Sequence, residues 1–500
     1  MADESTPGRT SRVDAPLLTR RWTLVAAATA TFLVMLDSTA VMMALPALRA
    51  ELDADFSGQQ WVIAAHAMPL AAFLSTGGAL ADRFGHRSAF RWGALLFTAG
   101  SVAAGAAGTL LVLAVARGIQ GIGSAFLLAT ASTLAAHEFP GTARARALRL
   151  LSTAAAAGLA LGPPVGGLLA EVDWRLVFLS VLPVGVLLQA IGKVRLRDVR
   201  PTTSAAVDWW GFTLSSACVA LLVLGLLRGQ ALGWTSTPVL AMFTGAALFL
   251  FLFLLTQRAR GDRAVLDLAL FGNRTFLGTS LTTFVFGAIS LAAVFLAILH
   301  LQDTLGHSPL ATGVRLLPLT AALIGTTLFT RGITTNVPPG AAVGVSAALV
   351  TLGAGLLIVV APATTWLELL PSMILLGIGV GLGTSLRFDL SARSVAPSRG
   401  SLATRVNETC HHLGLVVGVT AFGALFQYRV VTQVGQEGIP TAAPGLTTAF
   451  GLVREASTDS LAFIATLCLA VGAVFTPIAF AYIDRRDLRD PAMPGDAETS

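Results

Sequence analysis

The chain has 500 residues, of which 54% are hydrophobic and only 12% are charged, and its formal net charge is +6. A soluble domain carries roughly 25% charged residues because its surface faces water, so this composition excludes a set of soluble domains and predicts helices packed in a lipid bilayer. The basic residues are dispersed over many short loops without aromatic residues between them, which argues against a nucleic-acid-binding protein.

Apolar runs of roughly 20 residues, the length that crosses a hydrocarbon core of about 30 Å, predict about fourteen transmembrane helices. The predicted fold class is therefore an all-α integral membrane protein. In chain order the apolar runs fall near residues 22–47, 58–81, 92–108, 110–136, 148–170, 175–193, 209–228, 235–256, 275–300, 309–330, 338–360, 364–386, 403–427 and 459–483.

The positions of the basic residues predict that both ends of the chain lie in the cytoplasm. Most of the 33 Lys and Arg residues fall in alternate loops, on the same side as the N-terminus, and loops rich in these residues stay cytoplasmic. The polar first 21 residues and the long apolar run after them do not resemble a cleaved signal peptide. The outer segments hold these basic residues: Arg49, Arg175, Arg228, Arg429 and Arg454.

The predicted spans fall into two sets of six, separated by two extra central helices. Two bundles on either side of a central cavity are the plan of many transporters. The expected divisions are an inner tail at 1–21, an N-terminal bundle at 22–200, two extra helices at 201–258, a C-terminal bundle at 259–484 with an outer loop at 428–458, and an inner tail at 485–500.

The loop between the second and third spans combines an acid, several bases and glycines at the inner membrane surface. Asp82 can accept hydrogen bonds from a helix N-terminus or an arginine, and Gly78 and Gly85 permit close packing and turning. A charged latch that holds one conformation is one interpretation, and a merely solvated loop is the other. The residues of the expected latch are Gly78, Asp82, Arg83, Gly85 and Arg87.

Two ionisable residues lie deep within predicted spans. Asp37 is roughly 15 Å and Arg117 roughly 10 Å from the outer end of its span, at a rise of about 1.5 Å per residue. A charge at such depth needs a partner or water, so the two side chains are expected to pair if their helices adjoin. We expect Asp37 to bind and release a proton as this pairing changes; a purely structural ion pair is the alternative.

Four sequence motifs occur in the first half of the chain. The second-to-third loop reads Gly78-Ala79-Leu80-Ala81-Asp82-Arg83-Phe84-Gly85-His86-Arg87, and the fifth span reads Gly158-x-x-x-Gly162-Pro163-x-x-Gly166-Gly167. The first span contains Leu36-Asp37-Ser38-Thr39, and the fourth contains Arg117-Gly118-x-Gln120-Gly121. Together they resemble the major facilitator superfamily, in particular its fourteen-helix drug:proton antiporter branch.

The resemblance implies a bacterial plasma-membrane exporter that expels amphipathic drugs or antibiotics in exchange for protons by alternating access. It implies proton coupling at Asp37 and Arg117, on adjoining helices. It also implies that the antiporter motif of the fifth span forms a tight, kinked seam that limits proton leak. The residues of this motif are Gly158, Gly162, Pro163, Gly166 and Gly167. The proton gradient would supply the energy, and we expect no cofactor, no enzymatic activity and a monomeric chain.

The chain departs from the family pattern at several positions. His86 replaces the usual base of the loop signature, and the second copy of that loop, near Arg331, lacks its acid. The thirteenth span carries His411-His412 where the family usually has an Arg-Gln pair. No acid stands at Ala64, where several exporters of multiply charged cations have one, so neutral or weakly charged amphiphiles fit better as cargo.

Further polar residues could line a central cavity. Glu408 and His412 are four apart, on one helical face, and are expected to pair; extension of their side chains to the cytoplasmic surface is the alternative. A packed, hydrogen-bonding role is the alternative for His66, and the histidines show no metal-ligand spacing. The residues considered for the cavity are His66, Gln120, Asn407, Glu408, His411 and His412.

Other functions stay open on the sequence alone. No phosphate-binding loop of the Walker A type is present, so ATP is not expected as the energy source. An exporter of one endogenous metabolite, such as a self-made antibiotic, is the nearest alternative. A non-transporting sensor or enzyme would need a catalytic cluster or an appended soluble domain, and the sequence suggests neither.

Overall fold

The computed structural model describes residues 17–139, 142–198, 208–261, 266, 268–334, 337–361, 365–395, 400–437 and 446–488. Within these ranges the chain is helical and contains no β-strand, so the predicted all-α class is confirmed. Because lipid offers no partner for backbone amides and carbonyls, each membrane-spanning segment bonds its backbone internally.

Sixteen α-helices are described. The first nine are α1 Leu17–Glu51, α2 Phe56–Phe84, α3 His86–Gly105, α4 Leu110–Glu138, α5 Thr142–Val172, α6 Trp174–Leu179, α7 Val181–Val194, α8 Trp209–Leu232 and α9 Thr237–Arg260. The other seven are α10 Arg274–Leu299, α11 Pro309–Arg315, α12 Leu317–Thr334, α13 Pro339–Gly355, α14 Leu370–Arg393, α15 Gly400–Glu437 and α16 Leu446–Tyr482.

Twelve helical segments in the described ranges are long and apolar enough to cross a membrane. Helices α11 and α12 pass the same test together, but a bend of 43° separates them. Helix α3 is 20 residues long and is less apolar, because Arg87 and Arg91 stand in its first turns and glycines follow. The predicted number of fourteen spans therefore stays a prediction.

Two sets of helices pack mainly within themselves. Helices α1 to α7 form one set and α10 to α16 the other, while α8 and α9 form a hairpin. The sets meet along two seams, one between α2 and α15 and one between α5 and the α11–α12 pair. On the lipid side, α8 packs against both α2 and α15, so the hairpin covers the first seam.

Polar contacts join the two sets at both ends. Near the predicted outer end, Arg49 Nη1 lies 3.5 Å from Asp303 Oδ2, and Glu171 Oε2 accepts a hydrogen bond of 2.9 Å from the Leu310 amide. Toward the predicted inner end, the Ser75 and Thr409 hydroxyl oxygens are 3.1 Å apart. The two sets of helices are therefore in contact at both ends of their interface.

One predicted segment needs correction. The segment 428–458, predicted as an outer loop, is helical up to Glu437 and again from Leu446. Its Gly, Pro and Thr residues are concentrated around 438–445, outside the described ranges. The predicted sixth span, 175–193, lies within one candidate span, Trp174–Val194, although Ser180 separates α6 from α7 within it.

Glycines allow α1 and α5 to pack in close contact. Gly158, Gly162 and Gly166 follow at intervals of four and therefore share one face of α5. A methyl group at Gly158 would overlap the carbonyl of Phe32, and one at Gly166 would lie 2.5 Å from the carbonyl of Ala40. The backbones of α1 and α5 thus touch directly, the arrangement that small residues permit in membranes.

Replacing Gly158 or Gly166 with alanine should destabilise the protein, because the added methyl group meets rigid backbone. We expect a cost of about 1–3 kcal/mol, measured as a lower unfolding temperature of the purified protein in detergent. Gly325→Ala is the matched control, since open space surrounds this helical glycine. Equal melting of the Gly158 and Gly325 variants would contradict the packing argument.

Candidate functional site

A buried triangle of hydrogen bonds joins α1 to α4. Arg117 Nη1 lies 2.6 Å from Asp37 Oδ2 and donates to Gln120 Oε1 at 2.7 Å. Gln120 Nε2 donates in turn to Asp37 Oδ1 at 2.9 Å. Asp37, Arg117 and Gln120 are at most 2% exposed, so the structure brings the two charged side chains together as the sequence predicts.

Neighbouring helices fix the orientation of this triangle. Arg117 Nε donates to the Val62 carbonyl on α2 at 3.2 Å, and the Phe178 ring of α6 lies 5.7 Å from the guanidinium carbon. Ser101 of α3 accepts from Gln120 at 3.3 Å and donates to the Phe178 carbonyl at 2.8 Å. The ion pair is therefore held by contacts from three surrounding helices, α2, α3 and α6.

The ion pair depends on both of its members. Taking a carboxylate or a guanidinium out of water costs several kcal/mol, and a close partner with further hydrogen bonds offsets that cost. If Asp37 becomes neutral, the Arg117 charge stays buried without its counter-charge. The conformation described above then loses stability relative to one in which water or another acceptor reaches Arg117.

His66 lies beside the triangle on α2. Its Nε2 is 2.8 Å from the Ser124 hydroxyl oxygen and 3.9 Å from Asp37 Oδ2. The His66 carbonyl approaches Gly121 so closely that a side chain at that position would overlap it. His66 is thus a packed, hydrogen-bonded residue that also adjoins the buried carboxylate.

The prolines of α5 release two backbone carbonyls, and threonines from both sets of helices bind them. Pro163 and Pro164 have no N–H to donate to Leu159 and Ala160, four residues earlier. Thr39 of α1 donates to the Leu159 carbonyl at 3.1 Å, and Thr320 of α12 donates to the Ala160 carbonyl at 2.7 Å. The antiporter motif is therefore tied to α1 on one side and to α12 on the other.

The other motif glycine faces the second set of helices. A methyl group at Gly167 would lie 2.5 Å from the Pro309 carbonyl, and one at Gly313 would lie 2.8 Å from the Pro163 carbonyl. Helix α5 and the α11–α12 pair are therefore in backbone contact along this part of the seam.

Asp82 contacts the opposite set of helices at the predicted inner end. Its Oδ2 lies 3.4 Å from Arg405 Nη1 of α15, and its Oδ1 lies 3.0 Å from Nε2 of the fully buried His86. Gly78 leaves room for the Arg405 side chain, since a methyl group there would lie 2.7 Å from Arg405 Cδ. Asp82 and Gly78 thus form a cross-seam contact with Arg405.

The side chains of the other expected latch residues make their contacts with groups other than Asp82. Arg83 is exposed, with its guanidinium carbon 5.6 Å from the Phe84 ring centroid. Arg87 donates to the carbonyls of Gly192 and Lys193 at the end of α7. Gly85 adopts a φ of 95° at the turn between α2 and α3, a conformation that favours glycine.

The polar residues of α15 are buried, which contradicts the alternative that their side chains extend to the cytoplasmic surface. Glu408 is 9% exposed, and its Oε1 lies 3.5 Å from Arg387 Nε of α14. The expected Glu408–His412 pair does not form, because the carboxylate is directed to Arg387. Asn407, His411 and His412 are all at most 4% exposed.

Several residues of these contacts were not predicted. Arg387 and Arg405 counted only as inner-loop charges, although α14 runs to Arg393 and α15 begins at Gly400. Thr39 stood within a recognised motif without a role, and no pattern singled out Thr320. The cysteines are free, and the described residues contain no group of His, Cys, Asp and Glu that could hold a metal ion.

Comparison with known proteins identifies similar transporters. Residues 27–419 match the model of the Major Facilitator Superfamily. The multidrug resistance protein Stp of Mycobacterium tuberculosis is 30% identical over 415 residues, which cover 81% of this chain and 76% of the relative. The cephamycin export protein CmcT of Amycolatopsis lactamdurans is 30% identical over 482 residues, covering 95% and 94%.

A third relative and a solved structure agree with this similarity. The probable actinorhodin transporter of Streptomyces coelicolor is 30% identical over 430 residues, covering 82% of this chain and 73% of the relative. A bacterial homolog of the human lysosomal transporter Spinster, solved in an inward-facing and occupied conformation, superposes with a TM-score of 0.68 at 16% identity. That alignment covers 96% of this chain and 100% of the other, and it bears on the fold alone.

Removing the hydroxyl of Thr320 should destabilise the α5–α12 seam, because the Ala160 carbonyl would stay buried without a donor. We expect Thr320→Val to cost about 1–3 kcal/mol, seen as a lower unfolding temperature, and Thr320→Ser to retain most of the stability. Thr466→Val is the control, since the exposed Thr466 bonds only a carbonyl of its own helix. A Thr320→Val protein as stable as this control would contradict the assignment.

Proposed function

This chain belongs to the Major Facilitator Superfamily, and we propose that it exports amphipathic small molecules across the cell membrane in exchange for protons. It is a transporter rather than an enzyme, since its family and its relatives are transporters. The observation that carries the proton exchange is the buried Asp37–Arg117–Gln120 triangle, which holds a carboxylate away from water at the junction of α1 and α4.

Protonation of Asp37 supplies the force for the conformational change. Breaking a buried ion pair by neutralising one partner costs about 3–5 kcal/mol, and about 5.5 kcal/mol converts a 1:99 equilibrium into 99:1. A single proton on Asp37 therefore shifts the equilibrium between inward-facing and outward-facing forms by most of that amount. Thr39, two residues along α1, transmits the change to α5 through its bond with the Leu159 carbonyl.

The proposal includes a membrane topology. The chain crosses the bilayer fourteen times, with both ends in the cytoplasm. Helix α3 is a span because its 20 residues reach about 30 Å. Two six-helix bundles, within 22–200 and 259–484, move against each other around the α8–α9 hairpin, in a monomer. Only the proton gradient is needed as the energy source, without a cofactor.

The cargo is a neutral or weakly charged amphiphile, antibiotics above all. Three relatives carry names that refer to an antibiotic or drug: multidrug resistance, cephamycin export and actinorhodin transport. Among the described residues, Asp37 is paired with Arg117 and Glu408 with Arg387, so neither carboxylate offers a dication a free counter-charge. Export of one endogenous antibiotic rather than many drugs is the second candidate, favoured by the export protein similar over 95% of this chain.

Asp37→Asn should abolish proton-driven efflux while the protein still inserts, because asparagine fills the same space without a titrating group. The test is an antibiotic-susceptibility panel in an efflux-deficient bacterial host, with and without a proton uncoupler, followed by efflux from sealed vesicles. We expect the wild type to lower susceptibility and the uncoupler to remove that effect. We expect vesicles with the Asp37 variant to lose at least about tenfold in pH-driven rate, the equivalent of about 1.4 kcal/mol.

Asp459→Asn is the matched control, since Asp459 is exposed on α16 and takes no part in the triangle. It should transport like the wild type. Undiminished pH-driven efflux by the Asp37 variant would overturn the assignment of the proton site.

A further inference from the structure

A second buried acid–base pair lies in the other set of helices. Glu408 of α15 and Arg387 of α14 approach to 3.5 Å, and both side chains are at most 9% exposed. Like Asp37 and Arg117, they join two helices of one set within an apolar surrounding. Each half of the molecule thus buries one carboxylate next to one guanidinium.

The surroundings of Glu408 have unused hydrogen-bonding capacity. Among the described residues, Glu408 Oε1, His412 Nε2 and both amide atoms of Asn407 are buried without a hydrogen-bond partner. A cavity lined by Thr282, Thr283 and Arg387 adjoins the pair on the side of the guanidinium. Buried polar atoms are nearly always satisfied in native proteins, so this cluster is built to receive water or a proton rather than to stay dry.

Two histidines lie between the acid–base pairs. His66 Nε2 on α2 is 3.9 Å from Asp37 Oδ2, and His412 follows Glu408 by one helical turn, on the same face. Both histidines lie on helices that pack against each other along the α2–α15 seam, and each is 2% exposed. Hydrogen bonds from Gln60 to the Val419 carbonyl and between Ser75 and Thr409 hold α2 against α15 on either side of them.

We propose that Glu408 is a second proton-binding group, coupled to Asp37 across the α2–α15 seam by His66 and His412. Glu408 takes up one proton on a carboxylate oxygen, becomes neutral and weakens its attraction to Arg387. It later releases the same proton to water, so no other bond forms or breaks. Imidazole can take a proton on one ring nitrogen and give one up from the other, which suits both histidines to this position.

The charged groups around Glu408 are few in the described part of the chain. Arg387 faces it from α14, and His411 and His412 flank it on α15 itself. His66 is the titratable group that α2 brings near. Thr279, Thr282 and Thr283 of α10 line the adjoining cavity, and the charged residues of α8 and α16 lie nearer the helix ends. Protonation of Glu408 is therefore felt chiefly by Arg387 and by the two linking histidines.

This inference deepens the proposed function, because it adds a second proton to the same transport cycle, but its test needs no substrate. The full-length protein, purified and placed in lipid nanodiscs, is titrated in heavy and light water while the infrared band of protonated carboxyl groups is recorded. The variants are Asp37→Asn, Glu408→Gln, Glu408→Asp and His412→Gln. Glu455→Gln on the exposed part of α16 is the control.

We expect two buried carboxyl bands in the wild type, one lost in Asp37→Asn and the other lost in Glu408→Gln. Glu408→Asp should keep a band with a shifted frequency, which separates loss of the titrating group from loss of folding, and Glu455→Gln should keep both. Glu408→Gln should also shift the titration midpoint of the Asp37 band, and this shift should vanish in a His412→Gln background.

A Glu408→Gln spectrum with both bands intact would overturn the second proton site. A midpoint shift that persists undiminished without His412 would overturn the coupling. Neither result depends on efflux, so a protein that shows both bands but transports nothing would refute the proposed function while leaving this inference standing.

Discussion

The structure depends on a carboxylate and a guanidinium that are both removed from water and therefore require each other. Asp37 and Arg117 are each at most 2% exposed, and Gln120 completes the hydrogen bonds that neither could make alone. Such a pair is weak evidence for stability, because its desolvation offsets much of the attraction. In the proposed mechanism the pair acts as a switch, because one proton would remove the attraction and leave the desolvation cost.

The double proline of α5 places a similar constraint on the backbone. A membrane helix that loses two internal hydrogen bonds must find donors elsewhere, and here Thr39 and Thr320 come from opposite sets of helices. The helix break thus becomes a tie between the two sets of helices. Glycines on the same helix let α1 approach until backbones touch, so a shift of α1 cannot leave α5 unaffected.

The sequence allowed the buried pair to be predicted, because charges are rare in apolar runs and depth follows from the helical rise. Glu408 was singled out by its four-residue spacing from His412, but its partner Arg387 was not predicted. The predicted span ended at 386, so Arg387 counted as a loop residue, whereas α14 continues to Arg393. Thr320 could not be recognised at all, because its role exists only where α12 meets a carbonyl 160 residues away.

The α8–α9 hairpin makes the two sides of the molecule unequal toward the bilayer. It lies over the α2–α15 seam and leaves the α5–α12 seam without an inserted hairpin. A solute dissolved among the acyl chains therefore meets a shielded flank on one side and an unshielded one on the other. A solute that entered the protein laterally would then do so beside the proline-bearing helix, because the hairpin separates the other flank from the acyl chains.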